Sequence, residues 1–144
     1  MAVRPVNAQT RPLMKWKTSA LVNRGQVAVM SSDLALAAAE AASSATVIGV
    51  VAVGVDTIGD IAEIYDPNQD FEFDFYQGST VDTATDAMLG VGYDLYVDGA
   101  AGDGSAEGEM YLDLNDTTDD FIILVGYDNT RRVGIGRFTQ ASIL

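Results

Sequence analysis

Apolar and polar residues alternate along much of this chain, as they do in strands that bury one face. The clearest example is residues 71–76 (FEFDFY), where phenylalanines occupy every second position and acids lie between them. A period of two predicts a half-buried antiparallel strand. The same period continues over residues 89–97 and 110–114, whereas residues 46–53 form a β-branched apolar run typical of a buried strand.

The last part of the chain predicts a β-hairpin. Apolar residues at 121–125 and 133–138 flank turn-forming residues at 128–130. Together with a strand in residues 25–30, these patterns give about eight short strands and little helix. We therefore expect an all-β fold, a small antiparallel β-barrel or a sandwich around one core.

Residues 31–44 (SSDLALAAAEAASS) are rich in alanine and serine. Alanine is the strongest helix former, and Ser31 or Ser32 can accept hydrogen bonds from the free backbone N–H groups of a first helical turn. The same small residues are also typical of a loop. The sequence thus predicts at most one short helix, with a small-residue loop as the alternative.

Positive charge is concentrated at the beginning of the chain. The 144 residues carry a formal net charge of −13, from 8 basic and 21 acidic residues, yet the first acid is Asp33. Five basic residues precede it, so the remainder has three basic against 21 acidic residues, which gives 3 − 21 = −18. Such a division indicates that the beginning of the chain binds a different partner from the rest.

The first 24 residues also differ in pattern from the remainder of the chain. Pro5, Pro12 and the lack of a sustained period over residues 1–12 indicate an extended segment, and residues 13–22 are strand-like. We expect residues 1–24 to form an extended basic N-terminal arm and residues 25–144 to form a single β-barrel domain. Because such an arm has no core of its own, we expect an external partner to supply the buried area that orders it.

The amino-acid composition excludes several kinds of catalytic and metal-binding site. The chain has no cysteine and no histidine, which excludes disulfides, thiolate sites and the commonest general base. We expect a protein that is not an enzyme and uses no cofactor or metal. Its longest apolar run, residues 45–55, is too short to span a bilayer, so we expect no membrane partner and synthesis in the cytoplasm.

Two groups of acidic residues suggest chemistry but have simpler explanations. Glu72 and Asp74 lie two apart on one strand face, a spacing that could serve glycoside hydrolysis but that any solvated strand face produces. Asp113 begins a stretch (DLNDTTDD) spaced like a calcium-binding EF-hand loop, but Thr118 replaces the required glycine and Leu124 the required glutamate. Weak calcium binding is the alternative that this stretch leaves open.

Alternating glycines occur at Gly90 and Gly92 and again at Gly134 and Gly136. They lack the strand–loop–helix context and the following Lys-Ser/Thr of a phosphate-binding loop. Glycines at alternate strand positions indicate curvature or close packing against a neighbouring element, which is the interpretation we favour.

The basic arm has three interpretations. Lys15, Trp16 and Lys17, with Arg11 and Arg24 nearby, could stack on and neutralise a nucleic acid, but a body of −18 repels phosphates. Alternatively, Trp16 packs into the protein's own core and the basic residues pair with its own acids. The third interpretation, which we favour, is docking onto another protein; we expect no nucleic-acid partner.

The order of these segments resembles that of the capsid decoration (cement) proteins of tailed bacteriophages. The similarity covers nearly the whole chain and comprises an extended arm, GQVAVM, an alanine-rich spacer, ATVIGVVAVGV, an acidic strand region, TDAMLGVGYDLYVDG, a Gly/Asp-rich loop and the closing hairpin FIILVGYDNTRRVGIGRF. The similarity lies in the order of the segments and in short stretches of sequence, and it includes no diagnostic catalytic motif.

The resemblance implies a β-barrel or β-tulip body that assembles as a homotrimer on the outer surface of the virion head. There it would bind the major capsid protein and stabilise the capsid across capsomer junctions. It also implies a set of partner-binding residues in the arm, with two secondary candidates at the hairpin turn: Arg4, Arg11, Lys15, Trp16, Lys17 and Arg24, then Arg131 and Arg132. The alternatives are another head–tail structural protein and a calcium-assisted carbohydrate- or surface-binding β-module.

Overall fold

A computed structural model describes residues 3–7, 12–30, 36–38, 46–78, 80–97 and 110–139. Within these residues the chain forms eleven strands in the following order: Arg4–Pro5 (β1), Met14–Lys17 (β2), Val27–Met30 (β3), Leu36–Ala38 (β4), Val47–Val53 (β5), Ile61–Tyr65 (β6), Phe71–Asp74 (β7), Gly92–Val97 (β8), Met110–Asp113 (β9), Ile122–Asp128 (β10) and Val133–Phe138 (β11). The helical element of this part of the chain is a 3₁₀ turn at Asp86–Met88.

The strands form two antiparallel sheets, which confirms the predicted all-β fold. The six-stranded sheet has the order β1-β7-β11-β10-β8-β9, and the five-stranded sheet has the order β2-β6-β5-β3-β4. An isolated bridge between Phe75 and Leu112 brings β9, the far edge of the larger sheet, back to the end of β7. The larger sheet is therefore curved and barrel-like, although no continuous ladder closes it among the described residues.

The core beside β7 is aromatic and explains one pair of alternating glycines. Phe71, Phe73 and Phe75 are fully buried, as the alternation predicts. A Cβ atom at Gly134 would lie 2.7 Å from Cε1 of Phe75, and one at Gly136 would lie 3.1 Å from Cε2 of Phe73. Only glycine lets β11 approach the phenylalanine rings this closely, which confirms the packing interpretation for these two positions.

Two pieces of the predicted arm are strands of these sheets. Arg4 pairs with Glu72 of β7, and β2 pairs with β6 along its whole length. Val3 is 2% exposed and its N–H donates to the carbonyl of Gly25 at 3.1 Å. In the described residues, strands of the same chain therefore supply the buried area that an external partner was expected to provide.

The alanine-rich segment differs from its favoured prediction. Leu36–Ala38 is strand β4, paired with β3 in the register Met30 to Leu36 and Ala28 to Ala38, so the helix prediction is wrong for these residues. The ladder with β3 outweighs the helix propensity of alanine, which is a weak preference. The rest of residues 31–44 lies outside the described residues.

Candidate binding surfaces

The outer face of β7 carries a cluster of paired charges, which we call the arginine cluster: Arg4, Glu72, Asp74 and Arg131. Nε of Arg4 donates to Oε1 of Glu72 at 3.0 Å, and its Nη2 lies 3.4 Å from Oδ1 of Asp74. Nη2 of Arg131, from the β10–β11 turn, lies 2.7 Å from the same Glu72 oxygen. The side chains of Glu72 and Asp74 are only 18% and 12% exposed, so these are partly desolvated ion pairs.

The arginine cluster accounts for the two carboxylates that the sequence places side by side. Both contact the Arg4 guanidinium, which links the two-residue strand β1 to β7. Arg4 was expected to bind a partner, but the structure places it against its own sheet. Trp16, from the same predicted set, is half-buried and packs against the core, as the intramolecular interpretation anticipated.

Strand β2 presents a different surface, which we call the lysine face: Lys15, Lys17, Val53 and Ile61. In the ladder, Lys15 lies opposite Glu63 and Lys17 opposite Ile61, while Val53 of β5 also lies opposite Glu63. Paired residues point to the same side of a sheet, so these side chains share one face. Val53 is 52% and Ile61 54% exposed, and Ile58, in the turn between their strands, is 63% exposed.

The two lysines form no ion pair within the part of the chain that the structure covers, although Glu63 lies on the same face. There, no carboxylate lies within 4.0 Å of either lysine amine. Strand β2 is also the edge of the five-stranded sheet. Exposed aliphatic residues can form a protein-docking surface, and cations beside them steer an acidic partner towards it. Arg24 is exposed beyond this face, and Arg11 lies outside the described residues.

The acid-rich loop before β10 forms a carboxyl pair with β8. Asp94 is buried, and its Oδ1 accepts the Asp119 N–H at 2.9 Å. Burial, with the charge of nearby Asp116, raises the pKa of Asp94 to about 6. Hydrogen bonds from Thr118 lower the pKa of Asp116, which suits it to accept the proton of Asp94.

In the stretch beginning at Asp113, which resembles a calcium-binding loop, polar side chains form hydrogen bonds within the protein. Oδ1 of Asp113 accepts the N–H of Asn115 at 3.0 Å, and the Asn115 amide donates to the carbonyl of Val81 at 3.0 Å. Across the ranges that the structure describes, no group of three or more acidic side chains converges on a point where a metal ion could bind. The geometry adds nothing to the calcium alternative.

An open cleft of about 480 Å³ lies where the β10–β11 turn meets the end of β7. Its walls are Asp74, Phe75, Tyr76, Gln77, Gly78, Tyr111, Arg131 and Arg132. The sequence pattern placed Tyr76 on the outer face of its strand but gave no sign that it would meet tyrosines from β8 and β9. The two turn arginines expected to bind a partner lie in this cleft, far along the chain from the lysines of β2.

The comparison with known proteins adds no relative to these observations. No protein-family model matches the chain, and no curated protein matches it. The described residues include no helix that is long and apolar enough to cross a membrane. The surfaces described above are the observations that bear on function.

Proposed function

We propose that this protein is a capsid decoration subunit of a tailed bacteriophage and that it attaches to the head through the lysine face. The observation that carries the proposal is that Lys15 and Lys17 stand beside exposed Val53 and Ile61 on an edge strand. The order of segments that resembles decoration proteins supports the choice of partner, and the all-β fold is compatible with it.

Charge supports the lysine face as the point of contact. The chain has a net charge of −13, and Lys15 and Lys17 are its only lysines. A molecule this acidic is repelled by other acidic surfaces except where it presents cations. Two outward lysines therefore orient the subunit towards an acidic partner, and the exposed aliphatic residues on the neighbouring strands supply apolar area for contact.

Attachment of this kind needs no catalysis to have an effect. A subunit that binds only the assembled shell stabilises that shell by mass action, and many copies bound across capsomer junctions add their contributions. We propose the major capsid protein as the partner and self-association into a trimer on the outer surface of the head. Another structural role, at the tail or the head–tail junction, is the competing version of the proposal.

Amine footprinting tests the proposal directly, because the lysines report on one surface only. The protein is acetylated with an amine-reactive reagent, alone and bound to purified phage heads, and peptides are analysed by mass spectrometry. We expect heads to protect Lys15 and Lys17 from acetylation. Binding to heads with both lysines still fully reactive would show that another surface attaches, and binding to tails alone would favour the tail version.

A matched pair of variants separates local contact from net charge. Lys15→Gln with Lys17→Gln, and Thr83→Asp with Thr117→Asp, each add two units of negative charge, from −13 to −15. Thr83 and Thr117 are exposed and away from β2. We expect the glutamine variant to lose at least about tenfold in head affinity, and the aspartate variant to lose much less. Equal losses would contradict a specific lysine contact.

A further inference from the structure

The cleft beside the arginine cluster has the build of a ligand site, and contacts within the protein position its aromatic wall. Tyr76 stacks on Tyr96 with ring centroids 3.7 Å apart and an angle of 17° between the planes. Tyr111 lies opposite Tyr96 in the β8–β9 ladder and is tilted against Tyr76 at 6.2 Å. Tyr96 thus holds Tyr76 in place. A ligand would therefore bind an aromatic wall that is already ordered, which lowers the entropy cost of binding.

The backbone of the turn positions the second wall. Arg132 has φ 54°, in the left-handed region that a residue with a side chain rarely adopts. Its carbonyl accepts the Phe75 N–H at 2.9 Å, and its Nη1 donates to Oε1 of Gln77 at 3.0 Å and lies 3.4 Å from Asp82. Glycine would fit this conformation without strain. The strained backbone of an arginine on the wall of a cleft makes Arg132 a candidate ligand-binding residue.

The hydrogen-bonding groups of the cleft suit hydroxyl groups. Each guanidinium has five N–H donors, and the contacts of Arg131 and Arg132 with described residues use one nitrogen each. Gln77 and Asp74 add acceptors on the same walls. A ligand hydroxyl both donates and accepts, so a ring that carries several hydroxyls matches a mixed set of this kind. The apolar face of such a ring can pack on Tyr76 or Tyr111.

The charge around the cleft selects against anionic ligands. Three arginines, Arg4, Arg131 and Arg132, are matched by three carboxylates, those of Glu72, Asp74 and Asp82. These six groups therefore carry no excess positive charge, and the molecule as a whole has a net charge of −13. A phosphate or an acidic polymer would be repelled at long range and would compete with carboxylates already in place.

From the aromatic wall, the mixed donors and acceptors, and the balanced charge, we propose that this cleft binds a neutral saccharide without calcium. Its volume of about 480 Å³ lies within the range of small-ligand sites. This binding activity goes beyond attachment to a capsid and does not depend on it. The lysine face and the cleft share no residue, so either proposal can fail without the other.

Two glycine substitutions at strained positions provide a matched test. Arg132→Gly relieves the left-handed strain and removes the guanidinium from the cleft. Asp120→Gly relieves the same kind of strain, at φ 48°, on the loop before β10 and outside the cleft lining. We expect neither variant to have a lower thermal midpoint than the parent protein, so any loss of binding in Arg132→Gly would not come from unfolding.

The full chain and both variants are applied, in buffer with EDTA, to a glycan array that holds neutral and acidic saccharides, and the best ligand is then measured by calorimetry. We expect the parent protein and Asp120→Gly to bind a neutral glycan equally, and Arg132→Gly to bind it at least about tenfold more weakly. Binding of acidic glycans alone, binding only after calcium is added, equal binding by Arg132→Gly, or no retention of any neutral glycan would each overturn the proposal.

Discussion

The arginine cluster and the lysine face both contain basic residues of the N-terminal segment, but they differ in burial and in ion pairing. Arg4 lies on a two-residue strand and reaches two carboxylates of β7, with its side chain only 30% exposed. Lys15 and Lys17 lie on a four-residue strand of the same N-terminal segment but are exposed, without a described carboxylate within 4.0 Å. Both parts of the segment are strands of the sheets, but the charge of Arg4 is paired internally and the charges of the two lysines face outward.

The difference teaches that a run of basic residues in an acidic protein is not one functional unit. Arginine, with its planar fork of donors, suits a partly buried pair of carboxylates, whereas lysine is a flexible and strongly hydrated point charge. In this chain the charge of Arg4 contributes to the fold, whereas the charges of Lys15 and Lys17 are the ones we propose for partner binding. Substitutions at the carboxylates and at the lysines should therefore affect different properties.

The largest loss of stability is expected when the ion pairs of the arginine cluster are removed. Glu72→Gln removes the charge that pairs with Arg4 and Arg131 and leaves two guanidinium groups beside a neutral amide. Because the Glu72 side chain is mostly buried, we expect the free energy of unfolding to fall by about 2 kcal/mol. Urea unfolding followed by circular dichroism measures this change.

The control for this prediction is Glu63→Gln on β6. Glu63 is half-buried and lies opposite Lys15 in the ladder. Among the described residues it has no cation within 4.0 Å, so we expect a change of less than about 0.5 kcal/mol. Equal effects of the two substitutions would mean that the arginine cluster adds no stability beyond an ordinary surface charge.

A change of similar size but opposite sign is expected at Asp94, a buried carboxyl whose neighbours are acids instead of arginines. Its pKa is raised from 3.8 to about 6 in the folded protein, so the folded state holds this proton at a higher pH than the unfolded state. The resulting stability is complete below about pH 4 and is lost as the pH rises through about 6. The lowered pKa of Asp116 acts in the opposite direction, but only at more acidic pH.

Asp94→Asn tests this contrast, because an amide can accept the Asp119 N–H and donate to Asp116, as the protonated acid does. We expect the variant to be more stable than the parent by about 2 kcal/mol near pH 7, with the difference shrinking towards pH 4. Thermal unfolding across this pH range gives the comparison. A parent protein that becomes steadily more stable from about pH 4 to 7 relative to the variant would contradict the sign.

A feature of the fold could be predicted from the sequence only where the residues that cause it are close together along the chain. The β7 strand follows directly from its alternating phenylalanines, whereas glycine spacing alone does not predict packing, because Gly134 lies against the core and Gly90, which has the same spacing, faces open space. Strand β1 could not be predicted, because it is two residues long and its main contact, from Arg4 to Glu72, spans 68 positions along the chain. Strand β4 formed against the propensity of its alanines because β3 supplied a partner.

The binding surfaces divide in the same way. The sequence predicted Lys15 and Lys17 as candidate binding residues because their charge stands out in the first 24 residues of an acidic chain. It could not predict the cleft, because Tyr76 beyond the end of β7 meets Tyr96 of β8 and Tyr111 of β9 only when β9 returns to the end of β7. Sites built by topology leave no local signal, whereas a segregation of charge is visible at once.

The smallest effect on folding is expected at the lysines themselves. Lys15→Gln with Lys17→Gln removes two exposed charges that make no described ion pair, so the free energy of unfolding should change by less than about 0.5 kcal/mol. Any loss of stability should come from repulsion among the acidic residues, since the net charge becomes −15. Added salt screens this repulsion and should therefore restore the stability. Urea unfolding at low and high salt measures both. A large loss that persists in salt would mean that the lysines belong to the fold, and the contrast with Arg4 would disappear.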